Sequence, residues 1–440
     1  MIQSSFQVPS GFYWGTATSS QQVEGNNTNN NWWQWENEPG RIKQGHKAGL
    51  ACDWWGGRWR EDFDRAADSY QNAHRLSIEW SRVQPKPDIW DEQAFDHYRQ
   101  MLSGLRQRGI TPFVTLHHFS DPLWFMEMGG WENTDAPQIF AKYVTKTIES
   151  LKEYTSLWCT INEPNVYTSF AYVVGAFPPG KHDINAAFRV MTNMIRAHAL
   201  AYHIIHNLQP ESRVGIAIHH IDFHPLRSWF PLDTLVTNIY AGAINNAFTN
   251  TLVDGTLRFV VMRASIPEAR GTQDYLGLNY YTREYVRFNP AKAGELFGER
   301  TFARNADLSD GGFTANEPDG FYNAIHWATR YGLPIIIAEN GIECADDHIR
   351  PRYIIQHIHQ MMRSMQEGIP IQGYFHWSLV DNFEWERGWT QRFGLWELDN
   401  ITQERRKRKS ADLFTAICKN GTLTHEMVSQ FAPEVFNLLK

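Results

Sequence analysis

A single (β/α)8 TIM barrel with long βα loops is the fold class this sequence predicts, and three observations carry the prediction. Eight short apolar or β-branched runs recur along the chain, stretches with apolar residues at 3–4 spacing separate them, and no Pro/Ser linker or composition break divides the 440 residues. Alternating strands and helices imply a parallel sheet, and eight such units imply a closed barrel. Residues 1–440 are accordingly read as one barrel domain.

The first expected strand is F-Y-W-G-T-A-T (12–18), followed by A-H-R-L-S-I-E-W (73–80) and T-P-F-V-T-L-H-H-F (111–119). Then come S-L-W-C-T-I (156–161), R-V-G-I-A-I-H-H (213–220) and D-Y-L-G-L-N-Y-Y (274–281). L-P-I-I-I-A-E-N-G (333–341) and I-Q-G-Y-F-H-W-S-L-V (371–380) complete the set. Between them, segments 94–110, 136–154 and 351–368 show helical periodicity, the first with a glycine stop. The largest βα loop, about 283–320, has the length and Gly/Asp content of a lid. The basic run R-R-K-R-K (405–409) reads as a solvated connection, with Ser410 as the N-cap of the final helix.

Composition excludes several classes. A net charge of −7, from 48 acidic and 41 basic side chains, argues against a nucleic-acid or anionic-membrane partner. Cys52, Cys159, Cys344 and Cys418 form no C-x-x-C pair, which fits a reducing compartment better than disulfides or zinc. The N-terminal stretch M-I-Q-S-S-F-Q-V-P-S has neither a charged nor an apolar leader region, and no run approaches a membrane span, so a cytoplasmic location is expected. Aromatic content is 14%, with 18 Trp, and flat rings at strand ends suit the apolar faces of sugars.

In such a barrel, chemistry collects at the C-terminal ends of the strands. The polar residues there are Gln22, Glu24, Arg75, Glu79, His117, His118, Asn162, Glu163, Asn279, Tyr281, Glu339, Asn340, His376 and Glu384. Pro164 biases its predecessor toward an extended backbone, which places Asn162 and Glu163 at the mouth of the fourth strand. Alone, Glu163 and Glu339 each read equally well as turn residues. Arg75 inside an apolar strand demands an anionic partner, and a carboxylate across the mouth is the obvious one. Two carboxylates facing across one mouth fit an acid paired with a base or nucleophile, as in glycoside hydrolysis. The pairs His117–His118 and His219–His220 read by default as core or loop histidines, because adjacent residues of a strand point to opposite faces.

The chain also resembles glycoside hydrolase family 1, the retaining β-glucosidase/β-galactosidase group, from residue 12 to about 410. The likeness rests on F-Y-W-G-T-A-T-S-S-Q-Q-V-E-G, R-L-S-I-E-W-S-R-V, T-L-H-H-F, T-I-N-E-P-N, Y-L-G-L-N-Y-Y-T, I-I-A-E-N-G and G-Y-F-H-W-S-L-V-D-N-F-E-W, in that order. The resemblance implies Glu163 as general acid/base, Glu339 as nucleophile and Asn162 on the sugar 2-hydroxyl. It implies that Arg75 and Tyr281 hold Glu339 ionised and that Asn279 supports the acid/base side. Gln22, His118, Glu384 and Trp385 match the sugar-hydroxyl set, with Trp377 as stacking platform. Retention implies carboxyl groups about 5–5.5 Å apart, and Glu163, with no arginine of its own in sequence reach, is the one left protonated. No metal or organic cofactor is implied. The expected partner is a small β-glycoside or short oligosaccharide carrying a neutral glycone such as glucose, galactose or fucose, since Glu384 opposes a phosphate; a homo-oligomer stays open.

Three departures from the family pattern concern the cleft wall. Phe119 and Ser120 stand where many members have Trp and Asp, and the usual aglycone-stacking Trp is absent near Phe313 and Thr314. The Trp-rich stretch A-C-D-W-W-G-G-R-W-R (51–60) either supplies a substitute platform or packs its loop. Two rival readings are a metal-dependent barrel hydrolase using the His pairs and a sugar-binding protein without catalysis. The absence of H-x-H at the first strand counts against the former, and the presence of both carboxylates against the latter.

Overall fold

Each predicted run becomes a barrel strand in the computed structural model, which describes residues 6–439. The strands are β1 (Tyr13–Ala17), β2 (Ala73–Ser77), β3 (Thr111–His117), β4 (Leu157–Asn162), β5 (Arg213–Pro225), β6 (Tyr275–Phe288), β7 (Ile335–Asn340) and β8 (Ile371–Trp377). Neighbours in sequence are parallel neighbours in space, and β8 pairs with β1, so the barrel closes on itself and no barrel strand is left with a free edge. One helix of the outer ring follows each strand: α1 (Trp59–Asp68), α2 (Glu92–Gln107), α3 (Ala136–Leu151), α4 (Ile184–Leu208), α5 (Ala247–Asp254), α6 (Pro318–Thr329), α7 (Arg350–Gln366) and α8 (Lys409–Asn420). Part of the N-terminal stretch read above as lacking a leader, residues 1–5, lies outside the described residues. Among those described, no helix is long and apolar enough to cross a membrane.

Helix α2 shows how local sequence sets an element. Asp91 caps it by accepting the N–H groups of Gln93 and Ala94 at 2.9 and 3.0 Å. Phe95, Tyr98, Leu102 and Leu105 recur at helical spacing and are buried, and Gly109 ends the segment at φ +73°. Inside the barrel, small and large residues alternate, with Ala17, Ala73 and Ala217 beside Phe113, Tyr275 and Phe375. A Cβ at Gly215 would stand 2.6 Å from the Tyr275 ring, so only glycine fits there. This plug forms the floor of the site.

The structure departs from the sequence reading in several places. β5 and β6 run past the barrel rim as a paired ribbon, from Asp222↔Arg283 to Pro225↔Val286. Strand Gly298–Thr301 folds back antiparallel on β6, and Arg300 pairs with Glu284, so the loop expected as a lid is a braced hairpin wall. Ser410 does not cap the last helix. It lies inside α8, where its N–H and hydroxyl both donate to Asp347 at 2.7 Å, and helix His425–Phe431 follows. The basic run is only partly solvated. Arg405 reaches Asp62 at 3.1 Å, and Arg408 reaches both oxygens of Asp381 at 2.8 and 2.9 Å, while Arg406 and Lys407 stay exposed. In the Trp-rich stretch, Trp54 and Trp59 are buried and Trp55 packs on Arg82, so it is loop packing. All four cysteines are buried thiols.

Candidate active site

The end of β7 delivers Glu339, and the end of β2 delivers the charge that meets it. Arg75 is fully buried and donates through Nη1 to Glu339 Oε1 at 2.6 Å. The same guanidinium donates through Nη2 to Asn162 Oδ1 at 2.6 Å and through Nε to the Thr115 hydroxyl at 3.1 Å. Tyr281, from β6, donates its hydroxyl to the other Glu339 oxygen at 2.6 Å. A carboxylate fixed at both oxygens by charged and phenolic donors has one orientation.

Glu163 stands where β4 turns into the short helix Pro164–Ser169. Its backbone is left-handed, φ 43° and ψ 55°, not extended as Pro164 predicts. The reason is local: the Glu163 N–H donates to the Ala217 carbonyl at 2.8 Å, and the next residue already starts the helix. Phe119 and Trp385 also have positive φ, and all three line the same cavity of about 330 Å³. Such backbones cost ~1–3 kcal/mol each and cluster at working sites. Asn279 donates to Glu163 Oε1 at 2.8 Å and to Asn162 Oδ1 at 3.1 Å. An unbroken chain of hydrogen bonds thus runs from Glu339 through Arg75, Asn162 and Asn279 to Glu163.

His118, Trp377, Glu384 and Trp385 complete the cavity surface, with Gln22 just behind. Gln22 donates to Glu384 Oε2 and to Asn382 Oδ1, both at 3.0 Å, and its own carbonyl accepts from the Ser19 hydroxyl at 2.7 Å. The His118 ring stacks between Trp377 and Trp385, with centroids 6.0 and 5.9 Å away, and its Nε2 meets Asn162 at 3.1 Å. The structure thus links Gln22, Arg75, His118, Asn162, Glu163, Asn279, Tyr281, Glu339, Trp377, Glu384 and Trp385 around one cavity. Glu24, bonded to Arg82 and Tyr98, His117, bonded to Asp121, and Asn340, bonded to Tyr374, belong to other networks.

A model of glycosyl hydrolase family 1 matches residues 4–422. The chain belongs to glycosyl hydrolase family 1. It is 32% identical over 448 residues to beta-glucosidase A of Thermotoga maritima, covering 95% of this chain and 99% of that one. It is 29% identical to a beta-galactosidase of Sulfolobus acidocaldarius, covering 95% and 96%. Among solved structures, a beta-glycosidase from Pyrococcus horikoshii superposes with a TM-score of 0.90 at 36% identity, covering 97% and 98%. The Thermotoga maritima beta-glucosidase in complex with glucoimidazole gives 0.89 at 30% identity, covering 95% and 100%.

Burial dominates the electrostatics of Glu339 in this family 1 glycosidase. Burial and the Glu163 carboxylate push Glu339 up to about 7, while Arg75 and the Tyr281 hydroxyl pull it down. Two buried carboxylates in one site do not readily both ionise. Burial, then Glu386 and Glu339, raise Glu384 well above the ordinary carboxyl range.

Sequence reasoning missed His219, whose Nδ1 lies 3.0 Å from Glu163 Oε1. Burial opposes its charged form, but Glu163 outweighs that and raises its pKa above the ordinary 6.5. Glu163 is thus better compensated than its sequence neighbourhood suggests. The paired histidines do point apart: His117 meets Asp121 at 3.0 Å, and His220 packs on Trp327. Among the described residues, the cluster of side chains with metal-ligating atoms is Asp310, Cys344, Asp346 and His348, which includes no residue of the cavity wall.

Proposed function

We propose that this glycosidase cleaves terminal β-linked neutral sugars by double displacement, with Glu339 as nucleophile and Glu163 as acid/base. The observation that carries the reading is the division of donors between the two carboxyls. Glu339 takes the guanidinium and the phenol, donors that suit an attacking carboxylate, whereas Glu163 takes the Asn279 amide and the His219 ring. Glu339 attacks the anomeric carbon while Glu163 protonates the leaving oxygen. Glu163, left as a carboxylate once its proton has gone to the leaving oxygen, then takes a proton from water as that water attacks the anomeric carbon and frees Glu339. Asn162 would take the sugar 2-hydroxyl, with Trp377 under the ring and Gln22, His118, Glu384 and Trp385 on the remaining hydroxyls. His118 Nδ1 and Asn279 Oδ1 are buried without a protein partner, which supports polar ligand groups at this spot, because such atoms cost ~1–3 kcal/mol unpaired. A phosphorylated glycone would need a cation where the Glu384 carboxyl stands, which supports an unphosphorylated sugar. The whole barrel is proposed as one catalytic unit, and buried unpaired thiols support a reducing, cytoplasmic setting.

Incubation with a 2-deoxy-2-fluoro β-glucoside is expected to leave a sugar on the peptide containing Glu339, detected by mass spectrometry. Label on any other residue, or turnover that never traps the label, contradicts the assignment. Chelation with EDTA is expected to leave hydrolysis unchanged, against the metal-dependent reading.

A further inference from the structure

Away from the cavity wall, Cys344, Asp346 and His348 alternate in C-A-D-D-H, on the loop that leaves the end of β7. Their heteroatoms converge. The Cys344 Sγ lies 3.3 Å from Asp346 Oδ1 and 3.2 Å from His348 Nδ1, and that nitrogen also touches Asp346 Oδ1. Asp310, from the loop ahead of α6, brings Oδ1 to 3.9 Å from the same nitrogen. One such atom from each of the four side chains lies within 4.8 Å of the other three. Four ligand atoms set tetrahedrally around zinc, with Zn–S of about 2.3 Å and Zn–N or Zn–O of about 2.0–2.2 Å, stand roughly 3.3–3.7 Å apart. The cluster is therefore close to the size of an occupied site.

Proton accounting points to a cation at its centre. Carboxylates only accept, the thiol has one proton to give, and a ring nitrogen has at most one. Lone pairs on sulfur, nitrogen and two carboxylates thus face one another with too few protons between them, and a divalent ion reverses that repulsion. A solvated acidic patch, moreover, has no use for a fully buried sulfur, and Cys344 is one. Outer contacts hold the ligands in place. The second oxygen of Asp310 accepts the Ala345 N–H at 2.7 Å, and the Cys344 backbone donates to the Arg392 carbonyl at 2.8 Å and accepts from Arg350. Among the described residues, no other cysteine belongs to such a cluster.

We propose that Asp310, Cys344, Asp346 and His348 bind one zinc ion that fastens the loop after β7 to the loop ahead of α6. Sulfur and imidazole together with carboxylate suit zinc, whereas calcium and magnesium take oxygen ligands. On binding, the thiol proton leaves to solvent and sulfur bonds as the thiolate, one proton out for each ion in. Four protein ligands leave no open position for water or substrate, so the ion is structural and takes no part in the carboxyl chemistry. One fastened loop continues the strand that carries Glu339, and the other carries Phe313 and Thr314 of the cavity wall. No C-x-x-C spacing announces the site, because its fourth ligand comes from a different loop.

The test strips the whole enzyme with EDTA and titrates it with Co²⁺, a coloured stand-in for Zn²⁺. The expected result is one equivalent bound, with a thiolate-to-cobalt charge-transfer band in the near ultraviolet and the strong visible bands of tetrahedral cobalt, all bleached by Zn²⁺. One equivalent of Zn²⁺ is expected to raise Tm by a few degrees, with hydrolysis of p-nitrophenyl β-glucoside unchanged, because an ion that binds only the folded state stabilises it. Cys344→Ser is expected to abolish the sulfur band. His348→Ala, at an exposed position that spares the core, is expected to weaken cobalt binding at least tenfold, since losing even an outer partner of a ligand costs about 10–100-fold. Cobalt spectra without the sulfur band, a Tm that Zn²⁺ leaves in place, or weak binding of several ions that His348→Ala does not change each overturn the site.

Discussion

At the scale of the residue, the two carboxyls differ by what touches them rather than by what they are. Because the Glu163 charge is one of the causes that raise Glu339, its removal has a definite sign. Glu163→Gln is expected to move the acid limb of the kcat/KM profile for an activated aryl glucoside to lower pH, since Glu339 then ionises more readily. On an alkyl glucoside, whose leaving group needs the proton, kcat is expected to fall by about 10²–10⁴-fold. An acid limb that stays in place would mean the two groups do not sense each other. His219 touches Glu163 as closely as His117 touches Asp121, at 3.0 Å in both.

At the scale of the element, strand existence and order were legible because each barrel strand is buried on both faces and so appears as an apolar run. The ends were less so. β5 and β6 outrun their apolar cores because they satisfy each other beyond the rim, a pairing no local pattern announces. Arg75 was legible because a guanidinium in an apolar strand is anomalous on its face. Arg405 and Arg408 were not, because a basic run looks solvated unless its partners are known, and Asp62 lies far away in sequence. His219 hid behind a histidine pair whose neighbour is core. The buried ion pairs carry a prediction. Asp381 is fully buried, grips Arg408 through both oxygens and also accepts the Gly394 N–H at 2.8 Å. Asp381→Asn is expected to lower stability by about 3–5 kcal/mol, read from the urea midpoint at constant m, because it strands a buried guanidinium. Glu404→Gln, which loosens the exposed pair with Arg406, is expected to leave that midpoint in place.

At the scale of the whole molecule, many buried titratable groups act together on acid stability. Burial holds His74, His220 and His376 down to about 3 and His198 to about 4, against an ordinary 6.5. The unfolded chain takes up these protons near pH 6.5 and the fold refuses them, so each histidine withdraws stability as pH falls from about 6.5 toward 3–4. Glu24 and Glu339, raised from 4.5 to about 7 chiefly by burial, act the other way, because the fold keeps protons that the unfolded chain releases between those values. Their effect is complete by pH 4.5, below which the histidines are unopposed. The apparent Tm is therefore expected to decline gently from pH 6.5 to 4.5 and steeply below; a level Tm down to pH 3 contradicts this. Closure of the barrel has a consequence for synthesis. β1 ends at Ala17 and its second neighbour, β8, begins at Ile371, so roughly 350 residues must be translated before that edge is paired, on the order of 20–70 s at about 5–20 residues per second. For that interval the nascent chain carries an open strand, which invites pairing with other chains. Translation time sets a floor under the appearance of the closed barrel, and with it under the moment when Gln22 beside β1 first meets Glu384 beyond β8.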